Sequence, residues 1–168
     1  MKKTLSITVD NESGVLTRIS TVFSSRGFNI DSIAVGPTEN SGISKIIITL
    51  PGDHHTIEQI TKQLNKLIQV REVKDITMKA CVERELMLVK VNSSPGTRSE
   101  IIELTEIFRS KIVDISEDSI TIEVSGDPGK INTIQKLLEP YKIIEIVRTG
   151  KIAIERELGI NTEYLKNS

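Results

Sequence analysis

The apolar residues of this chain recur in one order twice over, and few architectures accept such a pattern. Leu5, Ile7 and Val9 alternate with polar residues and predict a strand over residues 4–10. Val15, Leu16, Ile19, Val22 and Phe23 share one helical face, and Gly27 marks where that helix stops. Residues 28–35 read as a second strand, broken by Gly36-Pro37, and residues 43–50 as a third. After the turn Pro51-Gly52-Asp53, Ile57, Ile60, Leu64, Leu67 and Ile68 are spaced for a helix, and Val70, Val73 and Ile76 close the half as a short strand.

The second half repeats that order. Residues 86–91 read as a strand, and Ile101, Ile102, Leu104, Thr105 and Phe108 form a helical face. Residues 112–115 and the alternating Ile120, Ile122 and Val124 give two strands across a turn at 116–119. Gly126-Asp127-Pro128-Gly129 echoes Gly52-Asp53 and opens a helix carrying Ile131, Ile134, Leu137 and Leu138. Pro140 stops it, and Ile143, Ile144, Ile146 and Val147 form a last strand. Each half is therefore βαββαβ, the ferredoxin-like order. The fold class is α+β: two small domains, residues 1–77 and 86–168 with its tail, joined by a linker at 78–85 where charges mix without periodicity.

Composition narrows the function. The 22 Lys and Arg against 23 Asp and Glu lack the basic excess by which proteins neutralise nucleic-acid phosphates. Aromatic residues are 3% with no Trp, which leaves no stacking platform for bases. The N-terminus has no signal-peptide run, and no stretch approaches the ~20 apolar residues that span a bilayer. The expectation is a soluble intracellular protein that binds neither nucleic acid nor membrane. Catalytic chemistry is equally hard to find. His54 and His55 are adjacent on a helix, so their side chains diverge by about 100° and make a poor metal pair. Cys81 is a lone cysteine with no base near it in sequence, and neither a Walker loop nor a Rossmann glycine fingerprint occurs.

What stands out is Asp10-Asn11-Glu12-Ser13-Gly14-Val15-Leu16, where a strand enters a helix through a small polar loop. The first turn of a helix leaves N–H groups without intrahelical partners, and its dipole adds positive charge, so a small carboxylate can dock there. Gly14 permits close approach to the backbone, and Asn11 offers an amide to a carboxylate or an ammonium group. Asn29, expected at the start of the next strand, adds a second amide. The competing reading is that Asn11 and Ser13 simply cap the helix.

The segments Asn11-Glu12-Ser13-Gly14-Val15-Leu16-Thr17-Arg18-Ile19 and Arg26-Gly27-Phe28-Asn29-Ile30-Asp31-Ser32 resemble the start of the acetolactate synthase small-subunit family, whose N-terminal part is an ACT domain. The likeness continues through Val82-Glu83-Arg84-Glu85-Leu86-Met87, Ile107-Phe108-Arg109-Ser110-Lys111 and Arg148-Thr149-Gly150-Lys151-Ile152-Ala153. The ending, Gly159-Ile160-Asn161-Thr162-Glu163-Tyr164, resembles cyanobacterial and plastid-encoded members. The resemblance implies a non-catalytic regulatory subunit of a bacterial cytoplasm or plastid stroma. It would bind the large catalytic subunit, raise its activity and make it sensitive to valine. Thiamine diphosphate, magnesium and FAD would belong to the large subunit, which makes acetolactate from two pyruvates. It also implies a homodimer through ACT domains, with the effector held by Asn11, Gly14, Val15 and Leu16 of one chain and Asn29 and Ile30 of the other. Ile30 and Ile33 would flank the effector side chain. A stand-alone ACT-type amino-acid sensor serving another partner is the alternative, and an enzyme on the same scaffold a second one.

Overall fold

The computed structural model describes residues 1–157. The first domain has the expected order: strand β1 (Lys2–Asp10), helix α1 (Val15–Ser25), β2 (Ser32–Pro37), β3 (Ile43–Pro51), α2 (His54–Leu64) and β4 (Val70–Asp75). Its antiparallel sheet runs β2-β3-β1-β4. Because strand side chains alternate between faces, Leu5, Ile7 and Val9 of β1 and Ile46, Ile48 and Leu50 of β3 all reach the helix side, where they are buried against Val15, Ile19, Phe23, Ile57, Ile60 and Leu64.

The second domain contains β5 (Cys81–Asn92), α3 (Arg98–Ile107), β6 (Lys111–Ile115), β7 (Ser119–Gly126), α4 (Pro128–Leu138) and β8 (Ile143–Arg148), with sheet order β6-β7-β5-β8. Met87, Val89, Val91, Ile120, Ile122 and Val124 pack on Ile101, Ile131, Ile134 and Leu138. The repetition reaches single hydrogen bonds. Asp10 N–H donates to Gln69 O and Asn11 N–H to Gly42 O, while Asn92 N–H donates to Lys142 O and Ser93 N–H to Asp118 O. Both central strands also shift register near their ends, after Thr8 and after Lys90. The paired Asp signals act alike: Asp53 accepts from Thr56 N–H and Asp127 from Lys130 N–H, each at 2.8 Å, as N-caps. The Thr56 N–H bonds the ionised carboxylate more strongly than the neutral acid, which holds the Asp53 carboxyl below its usual range.

Three details differ from the sequence expectation. Residues 28–31 precede β2 instead of opening it, so Asn29 lies in a loop, and Gly36-Pro37, expected to break the strand, are its last two residues and pair with Lys45 and Ser44. Helix α2 ends at Leu64, and Leu67 reaches the first core from the turn that follows. The segment assigned to a linker at 78–85 is mostly strand: Cys81, Val82, Glu83 and Arg84 begin β5 and pair with a ninth strand, β9 (Ile152–Glu155). Glu83-Arg84-Glu85 has strand conformation despite its charge because β9, about 70 residues later, pairs with Glu83 and Arg84, and β7 pairs with Glu85.

The β5–β9 ribbon lies on the helix-free face of the first sheet, where Lys151 Nζ donates to Thr4 Oγ1 at 2.9 Å. Just inside the second domain, Glu85, whose side chain is 6% exposed, receives Arg148 Nε at 2.7 Å and Nη2 at 3.0 Å. Arg148 also donates to Asn132 and Gln135. These contacts to Glu85 hold the guanidinium proton more tightly than usual, outweighing the opposing effect of burial. Arg148→Met would strand a buried carboxylate, and we expect a loss of about 2–4 kcal/mol in urea unfolding of the full chain. Adding Glu85→Gln should restore part of that loss, since the double variant leaves no unpaired charge.

Candidate effector site at the first turn of helix α1

The loop between β1 and α1 is held from below and left open above. Asn11 N–H bonds to Gly42 O at 2.8 Å, Glu12 N–H to Asp10 O at 2.9 Å, and Asp10 receives Arg71 from β4. Gly14 is the N-cap residue at φ 83°, a left-handed conformation that suits glycine, and a Cβ placed on it would meet nothing within 4 Å. No side chain caps the helix, so Asn11 and Ser13 do not perform the capping role that the sequence also allowed. Val15 buries its side chain in the core, and its N–H reaches Glu12 O at a long 3.3 Å. Leu16, whose own N–H follows in the uncapped first turn, is 43% exposed.

Among the described residues, α1 is the one α-helix with neither a capping side chain nor an acid in its first turn. Helices α2 and α4 have their Asp caps, and α3 carries Glu100. The equivalent loop of the second domain is filled from within. Thr97 Oγ1 accepts from Ser94 N–H at 3.1 Å. Arg98 reaches Ser93 Oγ at 3.2 Å and the carbonyls of Ser116 and Glu117 at 2.5 and 2.9 Å. The first turns of both α1 and α3 lack a capping side chain, but the second domain ties its loop with Thr97 and Arg98 and sets Glu100 in that turn, whereas the first has an exposed Asn11 and no acid there.

Asn29 and Ile30 are not part of that opening within one chain. Asp31 N–H bonds to Thr49 O, whereas Asn11 bonds to Gly42 O. The seven residue steps from Gly42, just before β3, to Thr49 span about 24 Å at strand rise, so the two candidate groups sit at opposite ends of the sheet. Asn29 is exposed, and Ile30 and Ile33 rest half-buried against the first core.

The other candidates from the sequence stay apart. His54 approaches Glu58 at 3.8 Å and His55 contacts Gln59 at 3.2 Å, each an i,i+4 neighbour on exposed helix surface. Burial, then the charges of Glu83 and Glu155, push the Cys81 thiol up, which disfavours the thiolate. Among the described residues no group of three or more His, Cys, Asp or Glu could hold a metal, and no helix is long and apolar enough to cross a membrane. Two clefts of about 810 and 710 Å³ lie on the helix-free side of the first sheet, and none of the six candidate effector residues lines either. Sequence reading missed this side because its walls come from β9 and the 149–151 corner, which a long-range pairing puts in place.

Since among the described residues no side-chain hydrogen bond involves Asn11 or Asn29, replacing either with Ala should leave unfolding free energy within about 0.5 kcal/mol of the parent. A loss of about 1 kcal/mol or more for Asn11→Ala would revive the capping role.

Comparison with known proteins places both halves. The model for the small-subunit-like ACT domain of AHAS matches residues 5–72, and the model for the small subunit of acetolactate synthase matches residues 84–157. The probable acetolactate synthase small subunit of Archaeoglobus fulgidus is 48% identical over 156 residues, covering 93% of this chain and 98% of that protein. The Bacillus subtilis small subunit is 49% identical over 158 residues, covering 93% and 91%. The chloroplastic small subunit 2 of Arabidopsis thaliana is 50% identical, and this chain spans 32% of its length. The crystal structure of the Thermotoga maritima small subunit superposes with a TM-score of 0.85 at 40% identity, covering 94% of this chain and 98% of that one. Two domains in the same order, with relatives matched almost end to end, mean that this chain belongs to the acetolactate synthase small-subunit family.

Proposed function

We propose that this chain is the regulatory subunit of acetolactate synthase: it binds the large catalytic subunit, raises its activity, and transmits inhibition by valine. Family membership supports the partner. The observation that carries the effector reading is the first turn of α1, which has neither a capping side chain nor an acid, set against α3, whose loop Arg98 ties and whose first turn holds Glu100. In this reading the carboxylate of a small amino acid takes first-turn N–H groups, Leu16's among them, where the helix dipole favours negative charge. Asn11 flanks it, and the left-handed Gly14 leaves the approach clear.

A site that also uses Asn29 needs a second copy of the chain, and the topology supplies a way to recruit one. Strand β2 is an edge strand running from the Thr49 end of the sheet to the Ser44 end. Pairing two β2 edges antiparallel reverses one copy against the other. The 29–31 segment of one chain then comes to the end of the sheet where Asn11 of the other lies. Ile30 and Ile33 would line the seam with apolar surface suited to a branched side chain. The open, unpocketed character of the 11–16 loop in one chain agrees with a site that two copies complete.

Regulation follows from linkage: valine inhibits only if it binds one arrangement of the complex better than another. The chemistry that joins two pyruvates into acetolactate with loss of carbon dioxide belongs, in this proposal, to the large subunit with its thiamine diphosphate, magnesium and FAD. This chain contributes no reacting group. The family's compartment on this reading is the bacterial cytoplasm or the plastid stroma; the ending at 159–166 that suggested plastid kinship lies outside the described residues.

The test is acetolactate formation by the cognate large subunit across a valine titration, with and without this chain. Activation reversed by valine is the expected result, and an unchanged rate would return the chain to the class of amino-acid sensors with another partner. Asn11→Ala and Asn29→Ala should each raise the half-inhibitory valine concentration about tenfold or more, as loss of a hydrogen bond to a charged group implies, while activation persists.

A further inference from the structure

The family match at Arg148-Thr149-Gly150-Lys151 is not used by the effector site, yet the structure gives these residues contacts in both domains. Lys151 has a side chain 15% exposed, and its ammonium is shared between Thr4 Oγ1 at 2.9 Å and Glu83 Oε1 at 3.0 Å. Gly150 is buried at φ 81°, and a Cβ on it would stand 2.9 Å from Ser32 Cβ and 3.3 Å from Ser32 Oγ. By strand register Thr4, Thr49 and Ser32 form one row across β1, β3 and β2. The corner therefore grips both ends of that row, and the Thr49 hydroxyl between them is buried without a hydrogen-bond partner. Ser32 directly follows the 29–31 segment, where Asp31 is fixed to Thr49 O.

On its other side the same corner is fastened to the second sheet. Thr149 N–H donates to Leu86 O at 3.0 Å, Thr149 Oγ1 accepts from Leu86 N–H at 3.1 Å, and Arg148 holds Glu85. An unbroken path of contacts thus runs from the 29–31 segment through Ser32, Gly150 and Thr149 to Leu86. Its seam is polar, as in interfaces between domains that move against each other, and it encloses a hydroxyl that opening would hydrate.

We propose that the 149–151 corner is the coupling element of this chain: its seating on Ser32 and Thr4 lets the effector edge of the first domain and the sheet of the second bias one another, with Lys151 as the positioning residue. This rests on the effector reading given above. It assigns the inhibitory signal a route through the second domain rather than through the first-domain dimer alone.

The experiment uses the full chain, alone and with the large subunit, and compares the parent with Lys151→Met, Lys151→Arg and Thr4→Val. Calorimetry with valine should give affinities for Lys151→Met within about threefold of the parent, and activation without valine should persist within about twofold. The half-inhibitory valine concentration, or the activity left at saturation, should rise about fivefold or more, the low end of ordinary coupling, with Lys151→Arg restoring inhibition. Inhibition of Lys151→Met like that of the parent would overturn the proposal. So would valine affinity falling more than about tenfold, or activation lost in both Lys151 variants, since either marks a merely structural role. If Lys151→Met fails to fold, Thr4→Val, which removes one hydroxyl, carries the same comparison. If the parent chain binds no valine, the effector reading fails, and hydrogen exchange of the free chain then judges the tie. Faster exchange at residues 31–33 in Lys151→Met upholds it, and unchanged exchange there overturns it.

Discussion

Strand β5 runs for twelve residues, and its backbone groups need partners along that whole length. On the β8 side, β8 pairs with Met87 to Val91 and β9 with Cys81 to Arg84, so Leu86 falls between the two. Thr149 fills the gap, with its backbone N–H donating to Leu86 O and its hydroxyl accepting from Leu86 N–H. With Leu86 N–H and C=O both paired to Thr149, the ladder continues from β8 to β9 without a break. The consequence is architectural. The chain turns at Gly150, places β9 beside the start of β5, and lays the ribbon on the bare face of the first sheet. A sheet with helices on one side only has a second face to cover, and here the other domain's extension covers part of it.

The two halves are alike where the fold requires it and unlike where function can enter. Central-strand register shifts, the bonds at the end of β1 and β5, and the Asp caps of α2 and α4 all repeat. Then α1 and α3 diverge. Arg98 spends its guanidinium on Ser93 and two carbonyls of the 116–119 turn, which ties the second loop shut. The first loop has Arg18 further along its helix and exposed, and its side-chain tie comes instead from Arg71 of β4 to Asp10. A duplicated topology thus offers a comparison: α3 also lacks a capping side chain, yet it carries Glu100 in its first turn and a loop tied by Thr97 and Arg98, and α1 has neither.

Much of this was legible in the residues, and the failures have one cause. The alternation of Leu5, Ile7 and Val9 and the 3.6-residue spacing of Val15, Ile19 and Phe23 are local signals, and both cores formed from the residues they mark. The loop at 11–16 was visible because glycine and small polar groups interrupt those periods. The β5–β9 ribbon was not. Cys81 to Glu85 carries too many charges to read as strand, and Ile152 to Glu155 is too short for a period to show; each is strand because the other is there. Likewise, nothing near Asn29 tells that it lies a strand's length from Asn11. That distance follows from the register of β3, a long-range fact.

The position of β9 also sets an order in time. The first domain closes its sheet with β4 by Asp75, so its core needs nothing from the residues that follow. The ribbon needs both β5 and a strand some 70 residues later, a pairing of large sequence separation and correspondingly slow closure. During synthesis the N-terminal domain therefore folds first, as domains generally do, with the start of β5 waiting unpaired beside it. All the strands of the domain that carries the open loop precede, in the chain, the corner that joins it to the second domain. In this molecule the residues that shape the open loop precede, by one domain's length of chain, those that tie it to the second sheet.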